Sequence, residues 1–187
     1  KEDDVTNEFF HKYFIVAWMK RFTEIVSDMY SEKIKDKMNI VVVRPANLYG
    51  EFDDFEWETS HVIPALVRKV AERHDPIEVW GDGKDLKEFL YIDDFIDGII
   101  LAMEKINSSK PINLSLNKAV TVQEIINHLI EIEGHSSAKI EYDITKPTMI
   151  PKRLIDNTHA KEILGFNPKV DIRDGLAKTL SWYKAKK

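Results

Sequence analysis

The feature that most constrains this chain is the run Met38-Asn39-Ile40-Val41-Val42-Val43, closed by Arg44-Pro45. A β-branched run without polar alternation is the pattern of a strand buried on both faces, as in a parallel sheet. The stretch before it, residues 13–37, holds neither Gly nor Pro. It carries Phe14, Ala17, Trp18, Phe22, Ile25, Val26 and Met29 as an apolar stripe of helical period. A helix feeding a buried strand is half of a βαβ unit, and its strand needs parallel neighbours. The fold class expected is therefore α/β, with the strand expected to belong to a larger doubly wound sheet.

The remaining elements alternate. Residues 1–8 read as a polar loop and residues 51–56 as an acidic one. Thr59 or Ser60 is placed to cap a helix over 61–73, with Pro64 in its first turn. A strand over 77–80, a Gly81-Asp82-Gly83 turn and a strand over 87–92 follow, and Asp93 is placed to cap a helix reaching 104. A strand over 112–116 precedes a Thr121/Glu124 capping box that opens a helix to 133. Residues 139–144 alternate as a strand. After a loop with Pro147 and Pro151, two short helices are expected over 156–164 and 171–186. The second half thus has the elements of a small α+β domain.

Charge and composition narrow the function classes. The net charge is −5, and the charged residues are interspersed rather than gathered on a basic face, which argues against a nucleic-acid binder. No apolar run approaches the roughly 18–20 residues that span a bilayer, so no membrane partner is expected. No basic stretch followed by an apolar core resembles a signal peptide. Cysteine is absent, which removes disulfides and thiolate chemistry and fits a cytoplasmic location. The His residues show neither i, i+4 pairs nor HExxH, so no metal site is expected.

Short strings carry the sharper signal. Arg44-Pro45-Ala46-Asn47-Leu48-Tyr49-Gly50 resembles the RPxNxYG segment of extended short-chain dehydrogenases that act on nucleotide sugars. The segment from Ser60-His61-Val62-Ile63-Pro64 to Arg68-Lys69 resembles SHVIPALxRR. Trp80-Gly81-Asp82-Gly83, then Lys87-Glu88-Phe89-Leu90-Tyr91-Ile92-Asp93-Asp94, resembles WGxGxxxREFLxVDD. Arg153-Leu154-Ile155-Asp156, Leu164-Gly165-Phe166, Gly175-Leu176 and Trp182-Tyr183 resemble the closing helices, and Lys1-Glu2-Asp3-Asp4 the acidic turn before the family's catalytic helix. In this order the strings resemble the NAD-dependent epimerase/dehydratase family, and within it the GDP-L-fucose synthases.

That resemblance implies a Rossmann-type sheet with a smaller substrate-binding domain and a nucleotide sugar between them. Residues 1–50 would be the terminal helix and strand of the Rossmann part. Residues 51–187 would be the nucleotide-sugar-binding domain, with some elements returning to the Rossmann part. The implied cofactor is NADP or NAD, yet no GxxGxxG turn is present, so the chain is expected to be the C-terminal portion of a longer protein. The family pairs Tyr and Lys at i and i+4 on one helix face, where the ammonium lowers the phenol pKa. Aligned on Lys20 and Glu24, Val16 stands where that Tyr would be. Tyr13 lies seven residues before Lys20, roughly 10 Å along a helix.

By the same resemblance Lys20 would anchor the cofactor ribose and His61 would be the epimerising acid or base, since imidazole both gives and takes protons near neutrality. The family's cysteine partner is not in this chain. Asn47 would face nicotinamide or sugar. Lys69 and Lys87, at positions where the family prefers Arg, would meet the diphosphate without Arg's bidentate fork. Trp80 and Arg153 would complete the substrate cradle. The function implied is epimerisation and reduction of a 4-keto-6-deoxy sugar, GDP-linked. The alternatives are a UDP-sugar 4-epimerase or 4,6-dehydratase, or a non-catalytic nucleotide-sugar-binding relative. A homodimer, or association with an N-terminal half, is the expected assembly, because unpaired apolar strands invite partners.

Overall fold

The computed structural model of the chain describes residues 1–5, 9–146 and 150–187. Pro147 of the expected loop, and residues 6–8 of the expected N-terminal loop, lie outside the described residues. The first helix, α1 (Phe14–Asp28), is prolonged by a π turn over Met29–Lys33 and ends before the expected residue 37. The reason lies in the stripe. After Met29 its next positions fall on Glu32, Lys33 and Asp36, so further turns have nothing to pack.

Strand β1 covers Val43–Pro45, later than the run 38–43 suggests. Its length is set by its parallel partner β5 (Ile112–Leu114), with Val43 opposite Ile112 and Pro45 opposite Leu114. Met38, at the start of the run, is exposed. Among the described residues the other edge of β1 pairs with nothing. After Ala46 the chain enters β2 (Asn47–Tyr49), which pairs in parallel with β4 (Leu86–Tyr91). The first half of β4 pairs with β6 (Ala119–Thr121) and β8 (Lys152–Arg153), both too short to show a period in sequence. Strand β3 (Ile77–Trp80) pairs in parallel with β7 (Ile140–Asp143).

Two cores flank these strands. Helices α2 (Val62–Ala71), α4 (Val122–Glu133) and α6 (Ile172–Ala185) pack together over β2 and β4, burying Val67, Ile125, Leu129, Leu176 and Leu180. Helices α3 (Ile92–Lys105) and α5 (Thr158–Leu164) cover β1 and β5 through Ala102, Leu114, Leu164 and Phe166. The capping box of α4 is present, with Glu124 N donating to Thr121 Oγ1 and Thr121 N to Glu124 Oε2. Two expected caps are not. His61 holds the cap position of α2 without a side-chain bond, while Thr59 donates instead to Asp54. Asp93 sits inside α3, which Tyr91 caps. The neighbouring Asp94 is buried because it accepts from Lys169 N at 2.9 Å and Val170 N at 2.8 Å, pinning the approach to α6.

Helix α1 is tied to β1 by charge. Arg44 Nε and Nη2 donate to the two Glu24 oxygens at 2.6 and 2.8 Å, and Arg21 adds a contact at 2.9 Å. Burial pushes the Glu24 carboxyl up, but the hydrogen bonds and charges of Arg44 and Arg21 outweigh it and leave the pKa below the ordinary 4.5. A folded-state pKa below the unfolded one gives stability that is present above the unfolded value and lost as pH falls through the folded one. Glu24→Gln is thus expected to cost about 2 kcal/mol at neutral pH. Urea denaturation at stepped pH checks this: the gap between the two proteins should close below pH 4.5.

Candidate functional site

The register of β4 assembles the site. Asn47 on β2 lies opposite Phe89, and Arg153 on β8 lies opposite Lys87. Alternation along a strand puts Lys87 and Phe89 on one face, so both neighbouring strands deliver a polar residue beside it. The start of α2 adds His61. These side chains line one cavity of about 460 Å³, together with Tyr13 and Asp53. Asn47 is held at both ends of its amide: Nδ2 donates to Glu88 O at 2.7 Å, and Oδ1 accepts from Arg153 Nη1 at 3.3 Å. Lys87 Nζ sits 3.1 Å from Asp85 Oδ2.

A second chamber of about 570 Å³ adjoins the first, and Val62 and Lys87 line both. Lys69 and Trp80 lie here. Lys69 Nζ donates to Glu78 O at 2.8 Å, and burial pushes its ammonium pKa down against the pull of the Glu78 carboxylate. Trp80 stays exposed, its Nε1 donating to Glu78 Oε1 at 2.7 Å. The Gly81-Asp82-Gly83 turn that follows is more than a generic bend. Gly83 has φ +76, and a Cβ there would stand 2.5 Å from the Tyr142 ring.

The trough therefore gathers Asn47, His61, Lys69, Trp80, Lys87 and Arg153. It does not gather Lys20, which is exposed on α1 and lines neither chamber. Toward a dinucleotide the chain thus offers Lys20, apart from the trough, and Asn47, whose amide is already committed. These described residues do not form a dinucleotide cradle.

Three trough residues escaped the sequence reading. Along a continuous helix Tyr13 would stand roughly 10 Å from Lys20. It instead closes a 3₁₀ turn, His11–Tyr13, ahead of α1 and reaches the wall that holds Asn47 and His61. Arg68 is 3% exposed and lies beneath Trp57, its guanidinium carbon 3.6 Å from the ring centroid. A charged residue between the core-facing Val67 and Val70 was the signal available for Arg68. For Trp57 it was a lone indole in an acidic loop. Glu88, on the opposite face of β4 from Lys87, lines a separate cavity of about 550 Å³. Burial raises its carboxyl pKa against hydrogen bonds from Ile155 N and Ser115.

Known proteins resemble this chain in sequence and in fold. Residues 12–115 match the NAD dependent epimerase/dehydratase family. The chain is 37% identical over 143 residues to GDP-L-fucose synthase 1 of Arabidopsis thaliana, covering 74% of this chain and 44% of that protein. A UDP-glucose 4-epimerase from Thermotoga maritima, solved with UDP-glucose, superposes with a TM-score of 0.80 at 26% identity over 93% of this chain and 53% of that one. A GDP-L-fucose synthetase from Naegleria fowleri shares the fold, with a TM-score of 0.83 at 22% identity over 98% of this chain and 60% of the other. The chain spans about half the length of the curated relatives it matches.

Proposed function

Because the chain belongs to the NAD dependent epimerase/dehydratase family, we propose that it forms the sugar-nucleotide-binding half of an NAD(P)-linked epimerase/reductase acting on a GDP-linked 4-keto-6-deoxy sugar. The observation that carries this reading is the convergence of Asn47, His61, Lys87 and Arg153 on one cavity that continues past Lys87 into the chamber of Lys69 and Trp80. GDP-L-fucose synthase 1 of Arabidopsis thaliana, 37% identical to this chain, is named for a GDP-linked sugar, which supports the choice of nucleotide. In this reading residues 1–50 belong to the Rossmann part. Residues 51–187 form the sugar-nucleotide part, and β5 returns to pair with β1.

The chain's own residues divide the work. Lys87, between the chambers, neutralises the diphosphate, with Lys69 beyond it and Arg153 beside it. Asn47, fixed by Glu88 O and Arg153, orients the hexose. His61 stands at the N-terminus of α2, where it exchanges a proton with the carbon next to the sugar carbonyl. Tyr13 contributes a hydroxyl on the same cavity in place of the tyrosine that Val16 lacks. The bound nicotinamide would supply hydride chemistry. Lys20 lines neither chamber and takes no part in holding the sugar nucleotide.

Calorimetric titration with GDP tests the reading. The chain is expected to bind GDP, and Lys87→Ala to weaken binding roughly tenfold or more, as loss of a charge-assisted phosphate contact does. Equal affinity of the two proteins would remove Lys87 from the diphosphate site.

A further inference from the structure

The outer chamber holds a feature that the motif residues do not explain. Trp57 leaves the acidic loop between β2 and α2 and lines the chamber while remaining 58% exposed. A tryptophan this open on a cavity wall still has ring surface to offer a ligand. Its position is nonetheless braced. The Arg68 guanidinium lies against the ring at 3.6 Å from the centroid, and His74 packs near it at 5.5 Å with planes tilted by 38°. Arg68 is itself fixed from below: Nη1 donates to the Phe55 carbonyl, and the residue is only 3% exposed.

Arg68 also carries an unexplained polar atom. Its Nε is buried and has no hydrogen-bond partner among the described residues, although Arg68 lines the chamber. A planar aromatic wall held in place from beneath by a cation therefore lines one space with Lys69 and Lys87, the lysines assigned to the diphosphate.

We propose that Trp57, braced by Arg68, is the stacking platform for the nucleobase of the sugar nucleotide. The inference rests on the nucleotide-sugar reading and deepens it by placing the base end. Stacking suits this wall because every base has a π-face, and a ring already held by a cation loses little freedom when a base settles on it. Lys87 at the junction then holds the diphosphate, and the sugar extends toward His61. This orientation puts the reacting carbons in the chamber that contains His61 and Tyr13, and the base in the chamber that contains neither.

The test compares two probes on three proteins: wild type, Trp57→Ala and Trp57→Phe. GDP and inorganic pyrophosphate are each titrated by calorimetry. Trp57→Ala is expected to weaken GDP binding roughly ten- to a hundredfold, the range of one base stack, and to leave pyrophosphate binding unchanged. Trp57→Phe should restore most of the GDP affinity. Unchanged pyrophosphate binding also shows that the variant has kept its fold. If Trp57→Ala binds GDP as wild type does, the platform is elsewhere and this inference falls while the nucleotide-sugar reading stands. If both ligands weaken equally in Trp57→Ala and Phe fails to rescue, Trp57 only props the loop, and the inference also falls. If wild type binds pyrophosphate but gains nothing from the base of GDP, both readings fall.

Discussion

Gly175→Ala is expected to destabilise the protein by about 3 kcal/mol, although Gly to Ala inside a helix ordinarily stabilises by about 1 kcal/mol. Gly175 lies within α6, where a Cβ would stand 2.1 Å from the Tyr49 hydroxyl oxygen and 2.8 Å from Cζ. Tyr49 has nowhere to go. It is buried at the end of β2 and packs edge-on against Phe89 at 6.2 Å and Tyr91 at 5.6 Å. Burial also pushes its phenol pKa far up, with Tyr91 and nearby carboxylates adding to the shift, so the group stays neutral. Displacing Tyr49 would drag β2, and with it Asn47 two residues earlier. Urea denaturation reads the effect as a lower midpoint. The pair Gly175→Ala with Tyr49→Phe should recover part of the loss by removing the nearest atom, a coupling that only direct contact produces. A midpoint unchanged or raised by Gly175→Ala would show that helix and strand are not packed this closely.

The second large effect concerns α1. No residue of this helix is buried, although Met19 and Phe22 are each 65% exposed and Phe14, Ile15 and Ile25 are more than half exposed. An apolar face this wide on a helix with a strong stripe is a surface for packing. The free edge of β1 lies on the same part of the fold, since Glu24 and Arg44 join α1 to it. We propose that the chain self-associates through α1. Light scattering after size exclusion is expected to give at least twice the monomer mass at tens of micromolar. Replacing Met19 and Phe22 with glutamate should weaken association by about a hundredfold or more, given the apolar area withdrawn from the interface. A monodisperse monomer over the whole concentration range would contradict the proposal.

Much of the architecture was legible in the chain because its signals are local. The stripe of α1, the Thr121/Glu124 box and the alternation of 139–144 are read from neighbours in sequence, and each marks a real element. What escaped depends on pairing at a distance. Strand β1 begins at Val43 because β5 offers only Ile112 to Leu114, and β6 and β8 exist only because β4 lies between them. Thr59 does not cap α2 because its hydroxyl donates to Asp54, and Asp93 does not cap α3 because that helix already begins at Ile92. The site follows the same rule. The motif strings name Asn47, His61, Lys69, Trp80, Lys87 and Arg153, and the register of β4 explains why Asn47, Lys87 and Arg153 meet. Tyr13 and Arg68 could not be placed from spacing, since one depends on where the 3₁₀ turn ends and the other on what Trp57 covers.

The division of the trough also bears on the chemistry. His61 and Tyr13 share the inner chamber, whereas Lys69 and Trp80 share the outer one, and Lys87 faces both. The proposed sugar nucleotide suits this division, since its diphosphate lies between sugar and base as Lys87 lies between the chambers. A free sugar would bring no anion to Lys87 and Lys69, and a dinucleotide would meet no cradle at Lys20.

The most direct measurement is therefore a side-by-side calorimetric titration of this chain with GDP and with NADPH. Binding of GDP, without binding of NADPH at the same concentrations, is the result expected of a sugar-nucleotide half. Binding of NADPH without GDP would contradict it, because the trough would then serve the cofactor rather than the substrate.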